Sequence, residues 1–268
     1  MVSCFRAIGL KFGIWDLKPG TINFQIAEFT TLFSMFHFKK FSIDDTTAAM
    51  KIGTDAVLLG AWALCNAETR ILDIGTGSGI LALMMAQRNA KIAIDAVEID
   101  HDASALAERN VQLCPWSDLI HIYNTTIQAF SLEKKHKYSL VICNPPFFTD
   151  SLKTPDKARN LARHNDTLSV RDLLECTSDL LTENGKAAFI IPADAYENWK
   201  QEAARLSIYP IRLTRVKSSP KHSPHRVMVI FTRIKQAEMI DNEICIYSSM
   251  NIHSHEYREL TSDFYLKF

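Results

Sequence analysis

The sequence predicts an α/β fold, a doubly wound and mostly parallel sheet of seven strands with helices on both faces. Three observations predict it. From about Ala48 onward, short apolar strand-like runs alternate with helix-like runs, and such alternation builds a parallel sheet wrapped by crossover helices. A glycine turn, Gly75-Thr76-Gly77-Ser78-Gly79, follows the first of those strands and opens a helix. The last two apolar runs, Ile211–Val216 and Val227–Thr232, are joined by Lys217–His225, which has no helical pattern, so they form an antiparallel hairpin at one edge.

Taken in order, residues 1–35 carry scattered aromatics without a period and read as an ill-defined leader, with Met35 as an alternative start; residues 36–268 read as a single domain. Asp55–Cys65 reads as an apolar helix with Thr54 as its N-cap. Arg70–Ile74 is the first strand, Ile80–Gln87 a helix, Lys91–Ile99 a strand and Ala103–Val111 a helix. Leu119–Tyr123 and Tyr138–Cys143 are strands, the second running straight into Asn144-Pro145-Pro146. Val170–Leu181 is an amphipathic helix closed by the stop signal Glu183-Asn184-Gly185. Lys186–Ile191 is a strand and Ala195–Leu206 a helix, and Ile244–Ser248 is a candidate extra edge strand. Ligands in such sheets bind beyond the carboxyl ends of the strands, so chemistry is expected around Asp73, Glu98, Tyr123 and Cys143.

Composition narrows the class. The 268 residues are 47% apolar, enough for a sizeable core. Thirty Lys plus Arg balance thirty Asp plus Glu, which excludes a whole-protein basic field and leaves any nucleic-acid partner to a local patch. No run of about 18 apolar residues offers a transmembrane helix. Arg6, Lys11, Asp16 and Lys18 interrupt any secretory apolar stretch. Cys4, Cys65, Cys114, Cys143, Cys176 and Cys245 are scattered without a C-x-x-C pair or metal-ligand spacing. No metal is therefore expected, and the thiols read as those of a reduced, cytoplasmic protein.

The glycine spacing is G-x-G-x-G, not the dinucleotide G-x-G-x-x-G, and Asp73 stands just before it. A carboxylate there repels a pyrophosphate and suits a ligand that carries an amino-acid cation. Glu98 ends the next strand, where an acid accepts hydrogen bonds from ribose hydroxyls, and Asp100 is near enough to compete for that role. A plain strand-to-helix turn explains the glycines alone but not the two acids with them. An adenosine bearing an amino-acid cation is S-adenosyl-methionine, the expected cofactor.

Asn144-Pro145-Pro146-Phe147 marks a turn on the simplest reading. Its composition also suits a reaction. An amino group conjugated to a ring is a poor nucleophile, because its lone pair is delocalised. The Asn144 side-chain oxygen and the Pro145 carbonyl can both accept from such an NH2, favouring a pyramidal nitrogen aimed at an activated methyl. Phe147 offers a face for the base to stack on. No strong base is needed, so neither His37 nor His164 is assigned a catalytic role.

The order Asp73, glycines, Glu98, Asn144-Pro145-Pro146-Phe147 resembles class I S-adenosyl-methionine-dependent methyltransferases over roughly residues 48–235. The tetrapeptide is similar to the [DN]-P-P-[FYW] motif of amino-group methyltransferases. Three further stretches, His37–Asp55, Ala162-Arg163-His164 and Asp263–Phe268, look like the bacterial tRNA1(Val) adenine-N6 methyltransferases. That resemblance covers about residues 36–268 and implies a Rossmann-like methyltransferase fold acting on the adenine beside the anticodon. It implies catalytic roles for Asn144, Pro145, Pro146 and Phe147. For the cofactor it implies Asp73, Gly75, Thr76, Gly77, Gly79, Glu98, Ile99, Asn144, and the covering segment Lys51, Thr54 and Asp55. Asn124 stands where many methyltransferases place an acid for the cofactor's adenine amine. Rivals sharing the motif are guanine-N2 rRNA and glutamine-N5 protein methyltransferases, and outside enzymes a non-catalytic RNA-binding module.

RNA binding needs a basic surface. Tyr209–Lys235 holds seven Lys and Arg residues and no acid, and the loop Lys153–Arg171 adds more; both segments are expected to flank the site. The candidate contacts are Lys39, Lys40, Arg163, His164, Lys217, Lys221 and Arg226. Balancing acids at Glu238–Glu243 and Glu256–Asp263 are expected elsewhere, with the acidic C-terminus turned away from the RNA. A monomer with tRNA as partner and no membrane is the resulting expectation.

Overall fold

A computed structural model describes residues 35–48, 51–65, 70–146 and 168–268. Phe147, Arg163 and His164 lie outside the described residues, as does most of the leader. The described residues from Phe36 on group into one unit.

Strand β1 (Phe36–His37) pairs antiparallel with β2 (Ser42–Ile43), and helix α1 spans Thr54–Trp62. Then follow β3 (Arg70–Ile74), α2 (Ile80–Arg88), β4 (Ala93–Glu98), α3 (His101–Gln112), β5 (Ile120–Asn124), α4 (Ile127–Glu133) and β6 (Tyr138–Cys143). The second half holds α5 (Val170–Leu180), β7 (Leu181–Pro192), α6 (Tyr196–Arg205), β8 (Tyr209–Lys217) and β9 (Arg226–Thr232). It ends with β10 (Ile240–Cys245), the hairpin β11 (Tyr247–Ser249) and β12 (Ile252–His253), and α7 (His255–Thr261).

Among the described residues the main sheet has eight strands in the order β10-β8-β9-β7-β6-β3-β4-β5. Only β9 runs against the rest. The chain winds outward from β3 to β5 and then returns to lay β6 beside β3, so the order reverses between those two strands. That crevice is where such sheets bind ligands. Register fixes the convergence: Ile74 faces Cys143 on one side and Val97 on the other, and Glu98 faces Asn124. The central strands are buried on both faces, Ile71, Leu72, Val141 and Ile142 among them, as parallel strands covered by helices must be.

The seven expected strands are present, with differences at the margins. The extra edge strand is Ile240–Cys245, not Ile244–Ser248, and it runs parallel to β8. Gly53, not Thr54, is the N-cap of α1, and no side chain caps it. Helix α5 ends at Leu180, before the expected stop signal, because Leu181 onward pairs with β6. Gly185 serves that pairing, since a Cβ there would sit 2.9 Å from the Tyr138 carbonyl oxygen. Two helices have no counterpart in the sequence reading, α4 and α7. Each is seven residues long, too short for a periodic pattern, and each starts at a capping hydroxyl, Thr126 and Ser254.

Candidate active site

The glycine turn is built for close approach. Gly75, Gly77 and Gly79 have φ of 68°, 57° and 90°, values that side chains with a Cβ adopt at a cost. A Cβ on Gly75 or Gly77 would meet nothing within 4 Å, whereas one on Gly79 would touch Ala107 of α3. The first two glycines therefore border open space, and the third lets α3 pack. The Gly75 and Thr76 amides both donate to the Val97 carbonyl, at 2.8 and 3.1 Å, and the Gly77 amide donates to Glu98 Oε2 at 2.9 Å. The turn is thus stapled to the end of β4.

Asp73 is wholly buried at the end of β3. Its Oδ2 accepts from the Thr76 hydroxyl at 2.6 Å and from the Ala82 amide at 3.1 Å. Its Oδ1 is buried and has no hydrogen-bond partner among the described residues. Burial pushes the Asp73 carboxyl up to about 7, against the pull of its two hydrogen bonds and with a small push from the Glu98 charge. An acceptor left in this state is unfavourable by itself and marks a place where a donor or cation belongs. The Thr76 side chain, one of the expected cofactor contacts, is turned onto Asp73, so it holds the carboxylate in place.

Glu98 is buried and faces the turn, and its Oε1 accepts from the Asp100 amide at 3.0 Å. Asp100 caps α3 by accepting from the Ala103 amide at 2.8 Å, so Asp100 is engaged at the helix start while Glu98 faces the glycine turn. Ile99 is 62% exposed at the strand end. Asn124 donates through Nδ2 to the Glu98 and Ile99 carbonyls at 3.0 and 3.2 Å, so Oδ1 is the end of that side chain not engaged by these bonds.

Asn144 follows Cys143 out of β6, half-buried, with Pro145 buried and Pro146 exposed. The two prolines line a small pocket with Pro192, Asn198 and Trp199. Burial raises the Cys143 thiol well above its ordinary range, and the Asp73 and Glu98 charges add to it. The ends of β3, β4 and β6 are therefore close enough to feel one another.

The segment before α1 is held mostly by its own atoms. Lys51 Nζ donates to the Asp45 carbonyl at 2.5 Å and lies 3.5 Å from the Asp45 carboxylate. Asp55 forms an ion pair with Arg226 at 2.8 Å, so an expected cofactor residue and an expected RNA residue hold each other. Sequence reasoning missed Asn110, which is fully buried in α3. Its side chain accepts from the Asp44 amide and donates to the Asp44 and Ser78 carbonyls, each at 2.9 Å. It thereby ties the segment before α1 to the glycine turn. The signal was an Asn inside a helix, where it forms no cap and needs partners.

The basic candidates divide by strand direction. Because β9 is antiparallel, only the loop between β8 and β9 reaches the site's edge, while Arg212, Arg233 and Lys235 lie toward the far edge. The expectation that all of Tyr209–Lys235 flanks the site is corrected accordingly. The acids expected elsewhere sit beside the cations: β10 brings Glu243 to Lys217 at 2.8 Å and Asp241 to Arg215. Lys39 donates to the Ser262 carbonyl at 2.6 Å and fastens the C-terminal segment. Lys40 and Lys221 are exposed, and Lys221 has no ion-pair partner among the described residues.

Comparison with known proteins agrees with this geometry. Residues 47–192 match the methyltransferase small domain family. The chain is 41% identical over 234 residues to the tRNA1(Val) (adenine(37)-N6)-methyltransferase of Flavobacterium psychrophilum, covering 87% of this chain and 100% of that protein. The protein of the same name from Bacteroides fragilis is 42% identical over 233 residues, covering 87% and 98%. Among solved structures, a predicted O-methyltransferase from Agrobacterium tumefaciens shares the fold, with a TM-score of 0.64 at 15% identity over 78% of this chain and 96% of that one. The chain belongs to the methyltransferase small domain family and, within it, to the tRNA1(Val) (adenine-N6)-methyltransferases.

Proposed function

We propose that this chain transfers a methyl group from S-adenosyl-methionine to N6 of an adenine in tRNA, adenine 37 of tRNA1(Val) being the target its relatives' names print. The observation that carries the reading is the register of β3 with β6. It sets the Asp73 carboxylate, whose Oδ1 has no partner among the described residues, and the Asn144-Pro145-Pro146 turn at neighbouring strand ends. The residues present fit the cofactor. Asp73 Oδ1 is a buried acceptor awaiting a cation, Gly75 and Gly77 border open space, and Glu98 and Asn124 keep acceptor capacity at the adjacent strand ends. When bound, S-adenosyl-methionine supplies a methyl group already activated on a sulfonium.

The chain's own residues supply position. Asp73 holds the amino-acid cation, with Thr76 fixing the carboxylate's rotamer. Glu98 accepts from the ribose, the exposed Ile99 covers a face of the adenine, and Asn124 Oδ1 accepts from its amine. Lys51, Thr54 and Asp55 cover the cofactor from the segment before α1. Asn144 Oδ1 and the Pro145 carbonyl accept from the target amine and turn its lone pair toward the methyl. Pro146 stiffens that turn, Phe147 stacks on the base, and the amine's proton leaves to solvent after transfer. Residues 36–268 form the methyltransferase domain, working as a cytoplasmic monomer. No helix among the described residues is long and apolar enough to cross a membrane. Of the RNA contacts, Lys40, Lys221, Arg163 and His164 remain the candidates, with Lys39, Lys217 and Arg226 in part committed within the protein.

The test is to incubate the protein with labelled S-adenosyl-methionine and tRNA, then digest and identify the product by mass spectrometry. N6-methyladenosine is expected. N2-methylguanosine, or methylglutamine when release factor is supplied instead, would overturn the assignment. Asn144→Ala should lower turnover by about 100- to 1,000-fold, the scale of losing one charge-positioning group, while cofactor affinity holds. Turnover near wild type would remove Asn144 from the mechanism.

A further inference from the structure

The hairpin of β11 and β12 stands apart from the site just described but shares its edge of the sheet. Strands β8 and β10 run parallel to β7 and β6, so their carboxyl ends point the same way. The Ile246 and Tyr247 amides donate to the Lys217 and Ser218 carbonyls at 2.9 and 3.0 Å. This fastens the hairpin's root to the start of the β8–β9 loop. The hairpin therefore lies beside the β8–β9 loop, at the edge of the sheet that carries the site.

Across the hairpin Tyr247 pairs with His253, and their rings stack at 4.9 Å with 20° between planes. His253 stacks in turn on Tyr257 at 5.0 Å and 20°. Tyr257 is buried and its hydroxyl donates to that of Tyr265 at 3.3 Å. The result is a column of three parallel rings, anchored in the core at one end and terminating in Tyr247, which is 37% exposed. Met250 at the tip is 87% exposed. The adjoining loop from Lys217 to Arg226 contains no acid and presents Lys221 and His222 to solvent.

We propose that Tyr247 is a stacking platform for an unpaired nucleotide of the substrate RNA, with Lys221 holding a neighbouring phosphate. This rests on the reading of the chain as a tRNA methyltransferase. An exposed ring at the end of a fixed column extends the stack when a base is added, without ordering a mobile side chain, and a nearby cation without a competing acid partner suits a phosphate. Charge favours nucleic acid over a protein partner, because Lys221, in a loop that contains no acid, is exposed and has no ion-pair partner among the described residues. Four strand spacings of about 4.8 Å separate β6 from β10, about 19 Å in all. The nucleotide held here is therefore one remote from the methylated base.

The experiment measures binding of a fluorescently labelled tRNA transcript to the full chain, with cofactor affinity followed by calorimetry. Tyr247→Ala should weaken tRNA binding about tenfold, the scale of one lost base stack, with cofactor affinity at the wild-type value. Tyr247→Trp should restore binding. Lys221→Gln should reduce the slope of log affinity against log salt by about one. Equal tRNA binding by Tyr247→Ala and wild type would overturn the proposal. So would a parallel loss of cofactor affinity, or a dimer in light scattering that Tyr247→Ala dissociates. A wild-type chain that binds tRNA but methylates no adenine would count against the functional reading alone, since the Tyr247 comparison is read from binding.

Discussion

Substituting Asp73→Asn should uncouple cofactor binding from the proton balance. In the cofactor-free protein the Asp73 carboxyl is raised from 3.8 to about 7 by burial. A carboxyl raised on folding contributes stability that is complete below the unfolded value and is lost as pH rises through the folded one. Stability attributable to Asp73 should fall between pH 4 and 7 and level off above. Roughly three pKa units correspond to about 4 kcal/mol at the upper limit. A ligand cation about 4 Å from Oδ1 contributes a similar energy at an effective dielectric of about 20, enough to return the group to its ionised form. Binding should therefore release about half a proton from Asp73 at pH 7, about 0.9 at pH 6 and close to none at pH 8.5. Titration calorimetry in two buffers of different ionisation enthalpy reads this number, and the difference between wild type and Asp73→Asn isolates the contribution of Asp73 from the cofactor's own groups. The variant should also be more stable than wild type at pH 8 without cofactor, and should bind it at least tenfold more weakly. An unchanged proton balance in Asp73→Asn would refute the assignment of the cation to this carboxylate.

Two further outcomes follow from the same geometry. Asn110→Ala leaves the Asp44 amide and the Asp44 and Ser78 carbonyls without their partner; urea unfolding should show a loss of about 2–4 kcal/mol, and the KM for cofactor should rise more than kcat falls. An unchanged KM would mean that the link between the two segments is structural only. Gly77→Ala should lower stability by about 1–2 kcal/mol, the cost of a left-handed backbone at a residue with a Cβ, and should weaken cofactor binding beyond that because the methyl enters the open space beside the turn. Cofactor affinity equal to wild type would place the ligand elsewhere.

The edge proposed to carry catalysis was legible in the sequence because its determinants are local. A β-strand, a glycine turn and a helix are encoded within about twenty residues, as in Arg70–Arg88, and the strand before Asn144 announces itself by its run of apolar residues. Elements that lean on distant partners were not legible. Helices α4 and α7 are too short to show a period, and the stop signal at Glu183-Asn184-Gly185 was overridden when Leu181 found a pairing partner on β6.

The sequence by itself determined the strand-and-helix alternation and the strand-end placement of Asp73, Glu98 and Asn144 on which the proposed chemistry rests, since each depends on residue type and near neighbours. Tertiary structure decided which charges are available. Composition made Tyr209–Lys235 a uniform basic run, yet β9 reverses direction and carries Arg233 and Lys235 to the far edge, while β10 sets Asp241 and Glu243 against Arg215 and Lys217. It also decided that Asp73 keeps one oxygen without a partner among the described residues and that Asn110 joins the segment before α1 to the glycine turn. Ion pairs and buried hydrogen bonds depend on register and strand direction, which are set by the packing of the whole sheet and not by any stretch of sequence read alone.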